Sequence, residues 1–193
     1  TSFLESAGSP PLITVHDSRI VLLIPVDDPD GIVSRVEQLH RRIAMRHGVS
    51  VLATLAPISE KPGDYAKSLR IARGASLLRE RQGFSPGVLS LEDLGIASLL
   101  LQVGSPGELA DFASRTIGGL VDYDRAKSSA LEETLRVYFT QGCSVSDAAS
   151  ELFVHPNTVK LRLRKIESLL NRDLSDPEDV LNLRAAVLIS DIL

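Results

Sequence analysis

The residues with the most chemical potential crowd into one short stretch: His155, Asn157, Thr158, Lys160, Leu161, Arg162, Arg164 and Lys165. Placed on a helix at 100° per residue, Asn157, Lys160, Leu161, Arg164, Lys165 and Ser168 share one side. Val159, Leu163, Ile166 and Leu170 fall within about 60° of one another on the other. The first face combines an amide, cations and one aliphatic group. A DNA major groove selects that set, because Asn can bond adenine bidentately, Arg or Lys can bond guanine, and an aliphatic group can meet a thymine methyl. Arg162 sits toward the side, within reach of a phosphate, of Glu167 or of an acid elsewhere. Basic outer faces are also common on merely solvated helices. The order of the surrounding elements therefore carries the decision, and an apolar Leu161 on the outer face is the residue that solvation alone explains least.

Those elements are well punctuated. Leu131, Leu135, Tyr138 and Phe139 give a first helix its apolar face, and Gln141-Gly142 stops it. Ser144 is suited to cap a short second helix, with Asp147 placed like the carboxylate of a capping box. Ala148 and Ala149 are small enough to let a third helix cross closely, as a helix-turn-helix requires. Pro156 stands at the first position of that third helix, where its missing amide hydrogen costs nothing. Asp176, Pro177, Glu178 and Asp179 then open a last helix. Its Val180, Leu181, Leu183, Ala186, Val187, Leu188 and Ile192 are too many for one narrow stripe, so part should close the domain core and part should meet the first domain or another subunit.

The first half mixes strands and helices. Leu12 to Val15 and Ile20 to Val26 flank the polar His16-Asp17-Ser18-Arg19 and predict a hairpin. A helix follows over Ile32 to Gly48, then a strand over about Val49 to Ala56. A second helix begins after Lys61-Pro62-Gly63-Asp64, with Tyr65, Leu69, Ala72, Ala75 and Leu78 on one face, and ends at Gln82-Gly83. A short strand at Val88 to Leu91 and helices at about Leu94 to Gln102 and Glu108 to Thr116 complete it, with Gly118-Gly119 expected to interrupt the chain. No repeat is visible.

Composition bounds the function. The chain has 193 residues, 44% hydrophobic and 24% charged, enough for two small packed domains. No apolar run approaches the roughly 20 residues of a membrane helix, and the N-terminus has no signal-like pattern. Cys143 is the single cysteine, so no intrachain disulfide or thiolate cluster forms, which fits a reducing cytoplasm. His16, His40, His47 and His155 lack metal-ligand spacing, and no metal or cofactor is expected. The net charge is −4, yet residues 155 to 172 carry five cations against Glu167, leaving the remainder near −8. An acidic body with one compact basic element discourages indiscriminate phosphate binding.

Residues 131 to 190 resemble the C-terminal helix-turn-helix of the PucR/CdaR family of bacterial regulators. The likeness runs through Leu131-Glu132-Glu133-Thr134-Leu135-Arg136, the stretch from Val154 to Glu167, and Asp173 to Asp179. Leu120 to Asp124 resembles the bridge that precedes this domain in the family. Pro156, where Arg is frequent, and Leu161, where Tyr is frequent, depart from the pattern and bear on target sequence. The family's middle region is similar to a degenerate GGDEF, or diguanylate cyclase, domain, which suits residues 10 to 95. The hairpin around Asp17 lies where that signature would be, but its glycines and glutamate are absent. A cyclase needs those glycines for close backbone approach and acidic oxygens to hold Mg²⁺. Catalysis is not expected.

The resulting expectation is an α+β protein of two domains: residues 1–118 an α/β, cyclase-like, degenerate GGDEF domain with trailing helices, and residues 119–193 an all-α helix-turn-helix domain. The expected function is that of a cytoplasmic DNA-binding regulator of a catabolic or secondary-metabolism operon. Its partners would be double-stranded DNA, a second copy of itself and a small-molecule effector, with no membrane. The alternative makes the first domain a nucleotide or metabolite sensor, or an interaction module, that carries the main role. Thr1 stands close to the first strand, so an upstream sensory domain is a further expectation.

Overall fold

The computed structural model describes residues 11–83, 85–103 and 106–193. By packing, the chain divides into two compact units, one of residues 1–76 and 83–95 and the other of residues 77–82 and 96–193.

In the first unit, β1 (Leu12–His16) and β2 (Arg19–Leu23) form the expected antiparallel hairpin, in register Leu12 with Leu23 through His16 with Arg19. Asp17 and Ser18 both take positive φ, 48° and 60°, which matches the twist of a two-residue hairpin turn. The second strand stops at Leu23 and does not reach Val26. Helix α1 (Ile32–His47) ends at Gly48, whose left-handed φ of 61° lets its amide close back on the Ala44 carbonyl. Strands β3 (Leu52–Thr54) and β4 (Gly87–Leu89) pair in parallel, with α2 (Tyr65–Arg81) in the connection between them. The buried stripe of α2 is Ser68, Ile71, Ala75 and Leu78, one step round from the expected face, and Tyr65 is exposed. His40 is structural: its Nε2 lies 2.8 Å from the Val51 carbonyl oxygen.

The second unit is helical. Its elements are α3 (Ile96–Gln102), α4 (Pro106–Lys127), α5 (Leu131–Thr140), α6 (Val145–Glu151), α7 (Pro156–Leu170) and α8 (Pro177–Ile192). Gly118 and Gly119 do not interrupt α4, so the expected boundary between residues 118 and 119 falls inside a continuous helix. Ile117 and Leu120 of α4 join Leu131 and Leu135 of α5, Ala148 and Ala149 of α6, Val159, Leu163 and Ile166 of α7, and Leu183, Ala186 and Val187 of α8 in one core. Within this unit α8 packs against α4, α5 and α3. Leu181 is left exposed.

Three of these helices end in the same way. After α5, the Gly142 amide donates to the Phe139 carbonyl and the Cys143 amide to the Tyr138 carbonyl. After α6, the Phe153 amide donates to Ser150 and the Val154 amide to Ala149; after α7, the Asn171 and Arg172 amides both reach Glu167. The pivotal residue is left-handed each time, with φ of 62° at Gly142, 54° at Phe153 and 50° at Asn171. For a residue with a large side chain that conformation costs about 1–2 kcal/mol.

Candidate nucleic-acid interface

The candidate surface is assembled from two caps and a crossing. Ser144 holds an extended conformation and its Oγ accepts the Asp147 amide hydrogen at 3.2 Å, fixing the start of α6. Only this half of the expected capping box forms, because the Ser144 amide is spent on the Gln141 carbonyl. Ala148 and Ala149, both buried, set the close contact of α6 with α7. Pro156 takes the first position of α7 as expected. His155 is its N-cap, and imidazole Nδ1 accepts the Asn157 amide hydrogen at 3.1 Å. His155 therefore organises the start of α7, a role that sequence reasoning did not assign to it.

Along α7, Val159, Leu163 and Ile166 are buried and Leu170 is half-buried. Asn157, Lys160, Leu161, Arg164, Lys165 and Ser168 are exposed, and Thr158 and Arg162 are intermediate. The outward set spans about 16 Å of helix axis at 1.5 Å per residue. Leu161 leaves 64% of its surface in solvent. Among the described residues, Lys160 and Arg164 make no ion pair.

Two other cations are held by the fold. The Arg162 guanidinium donates to Thr134 Oγ1 at 3.0 Å, and that buried hydroxyl in turn donates to the Ala130 carbonyl. Glu167 is not its partner; that carboxylate accepts the Leu174 amide hydrogen at 3.0 Å. Lys165 Nζ stands 5.0 Å from the centre of the Tyr123 ring, a cation–π contact. The neighbouring Asp124 accepts the amide hydrogens of Leu131 and Glu132 and so caps α5, whose own preceding residue, Ala130, offers no side-chain acceptor. Tyr123, Asp124 and Thr134 are thus site-building residues that the sequence reading missed. Thr158, Leu161, Arg162 and Lys165 meet Tyr123 and residues 128–131 around an open cleft of about 350 Å³.

Downstream, the turn into α8 is fixed by carboxylates. Asp176 caps the helix by accepting from the Glu178 and Asp179 amides, while Asp179 accepts from the Asp173 amide and from Arg172. Those last two bonds hold the Asp179 carboxyl below the usual carboxylate range, and bonds from Ser175 do the same for Asp173.

Residues 131–189 match the family described as the PucR C-terminal helix-turn-helix domain, and residues 1–76 match the GGDEF-like domain. The chain carries a PucR-type C-terminal helix-turn-helix domain and a GGDEF-like domain. Relatives include the purine catabolism regulatory protein of Bacillus subtilis (strain 168), 39% identical over 88 residues, which is 46% of this chain and 16% of the relative. The proline-responsive transcriptional activator PutR of the same organism is 26% identical over 112 residues, 58% of this chain and 26% of the relative. The carbohydrate diacid regulator of Escherichia coli (strain K12) is 26% identical over 153 residues, 79% and 39%. The chain thus spans well under two thirds of these relatives. Its PucR-type core extends beyond the matched segment, since Ile117 and Leu120 of α4 are buried in it.

In the GGDEF-like unit, Asp17 at the hairpin tip is engaged by Arg73 at 2.7 Å and by His16 at 3.7 Å. No group of three or more His, Cys, Asp or Glu is placed to hold a metal ion among the described residues. Nor is any described helix long and apolar enough to cross a membrane.

Proposed function

We propose that this chain is the DNA-binding portion of a PucR/CdaR-type transcription regulator, with α7 as the helix that reads the major groove. The observation that supports the reading most strongly is the tightly crossed pair α6 and α7, whose outward face on α7 carries Asn157, Lys160, Leu161, Arg164 and Lys165. In this reading those five meet base edges. His155 and Thr158, at the helix start, lie beside a phosphate, where the positive end of the helix dipole favours an anion. Arg162 braces α7 against α5 and borders the same backbone.

The regulated genes are proposed to be a catabolic or secondary-metabolism operon. Catabolic control is what the name of the purine relative suggests. The GGDEF-like unit is proposed to be non-catalytic, because its hairpin lacks the signature glycines and glutamate and the one carboxylate at the tip is occupied by Arg73. Action as a dimer in the cytoplasm completes the proposal, since one recognition helix reads too few base pairs to find a genomic site unaided.

The test is direct. A duplex selected by the full chain from a random-sequence library is titrated by fluorescence anisotropy at several salt concentrations. The K160A/R164A double variant should bind it at least about tenfold more weakly, as loss of base contacts worth about 1–3 kcal/mol each implies. Its salt slope should also be shallower wherever one of these cations neutralises a phosphate. Unchanged affinity together with an unchanged slope would overturn this docking of α7.

A further inference from the structure

Phe153, in the turn between α6 and α7, is 95% exposed, more than any other large apolar side chain among the described residues. Its backbone occupies the left-handed pivot of the α6 terminus, the position that Gly142 fills after α5 and Asn171 after α7. Glycine and asparagine take that conformation readily, and a phenylalanine does not. The turn therefore carries two local costs at one residue, a strained backbone and a hydrated aromatic ring, and neither is offset by burial within the chain. Phe153 lies two residues before His155, the cap of α7, in the turn that joins α6 to α7.

We infer that Phe153 is a DNA contact, its ring resting on the deoxyribose edge of the backbone that borders the groove entered by α7. The inference rests on the reading of α7 as the recognition helix. In a helix-turn-helix the second helix places its first residues on base edges while the preceding helix crosses the backbone. The turn joining them is therefore brought to the groove wall. The wall's phosphates offer nothing to a phenyl ring, but its sugars present C–H surface, which an uncharged aromatic covers without displacing counterions. Such a contact positions the domain and is indifferent to base sequence.

The test uses the full chain with Phe153→Gly, which removes both the ring and the backbone strain, and Phe153→Asn, which keeps a side chain suited to the same conformation. Thermal melts should place both variants at or above the native Tm, so that weaker binding is not a folding defect. Affinity for the selected duplex should then fall by about 5–20-fold in both, the scale of losing one buried apolar contact. The same factor should appear on a scrambled duplex, and the salt slope should not change. Affinity of the glycine variant within about twofold of native would overturn the inference, as would a loss confined to the selected sequence or a change in self-association alone. If instead the native chain fails to bind, or K160A/R164A binds as tightly as native, the reading of α7 falls and not merely the role of Phe153.

Discussion

A carboxylate kept almost entirely from water has to be matched atom by atom, and Asp191 on α8, 3% exposed, meets that demand. Arg136 on α5 donates its Nε to both carboxylate oxygens, at 2.9 and 3.2 Å, and extends its other nitrogens to Glu132 and Glu133. Burial works against the guanidinium charge, but Asp191, Glu132 and Glu133 outweigh it and the Arg136 pKa is raised. Asp191→Asn keeps the shape while removing the charge, and should cost about 2–3 kcal/mol, a Tm lower by about 5–10 °C. Duplex affinity should stay at the native value, because the pair lies on α5 and α8 and away from the outward face of α7. A Tm within about 2 °C of native would show that the glutamates alone satisfy Arg136. This pairing was illegible in the sequence, since Arg136 and Asp191 lie 55 residues apart and no local period links them. Tyr123 beneath Lys165 escaped for the same reason. The faces of α7 were legible because helical periodicity is local: Val159, Leu163 and Ile166 are buried as their spacing requires.

Among the elements, α4 is where sequence and structure part most clearly. Two adjacent glycines each cost a helix about 1 kcal/mol, which made a break at Gly118-Gly119 the natural expectation. The helix continues because Ile117 and Leu120, either side of the pair, are buried in the core of the second unit, and that burial exceeds the propensity cost. The prediction concerns Gly119, which is exposed and helical, with open space where a Cβ would stand. Gly119→Ala should stabilise the chain by about 0.5–1 kcal/mol and raise Tm by about 1–4 °C. Gly118→Ala should gain less, since its Cβ would meet Ser114 Oγ at 3.4 Å. A lower Tm for Gly119→Ala, measured by circular dichroism, would mean that α4 opens at this point in solution. The hairpin, by contrast, was readable because its turn residues and flanking apolar runs sit next to each other. Its far end was not, since where a strand stops depends on the pairing partner and not on its own apolar run.

For the molecule as a whole, charge distribution and partner number make one argument. The chain carries −4 overall while residues 155 to 172 carry about +4, so electrostatic attraction to a duplex is concentrated on and beside α7 and opposed elsewhere. One copy would then hold DNA through a single short helix, too small a contact for a genomic address, and the proposed second copy supplies the rest. Two identical reading helices related by a two-fold axis enter successive major grooves on one side of the duplex, so their half-sites should be inverted and centred about one helical turn, roughly 10–10.5 base pairs, or a multiple of that, apart. Sequences selected by the full chain should show this spacing. Inserting five base pairs between the half-sites turns one of them to the far side of the duplex and should reduce affinity to that of a single half-site. Inserting a full turn returns both to one side and should restore part of the loss, depending on how far the two copies can separate. Selected sites that lack inverted symmetry, or that tolerate the five-base-pair insertion without loss, would rule out symmetric pairing and leave each copy to bind on its own.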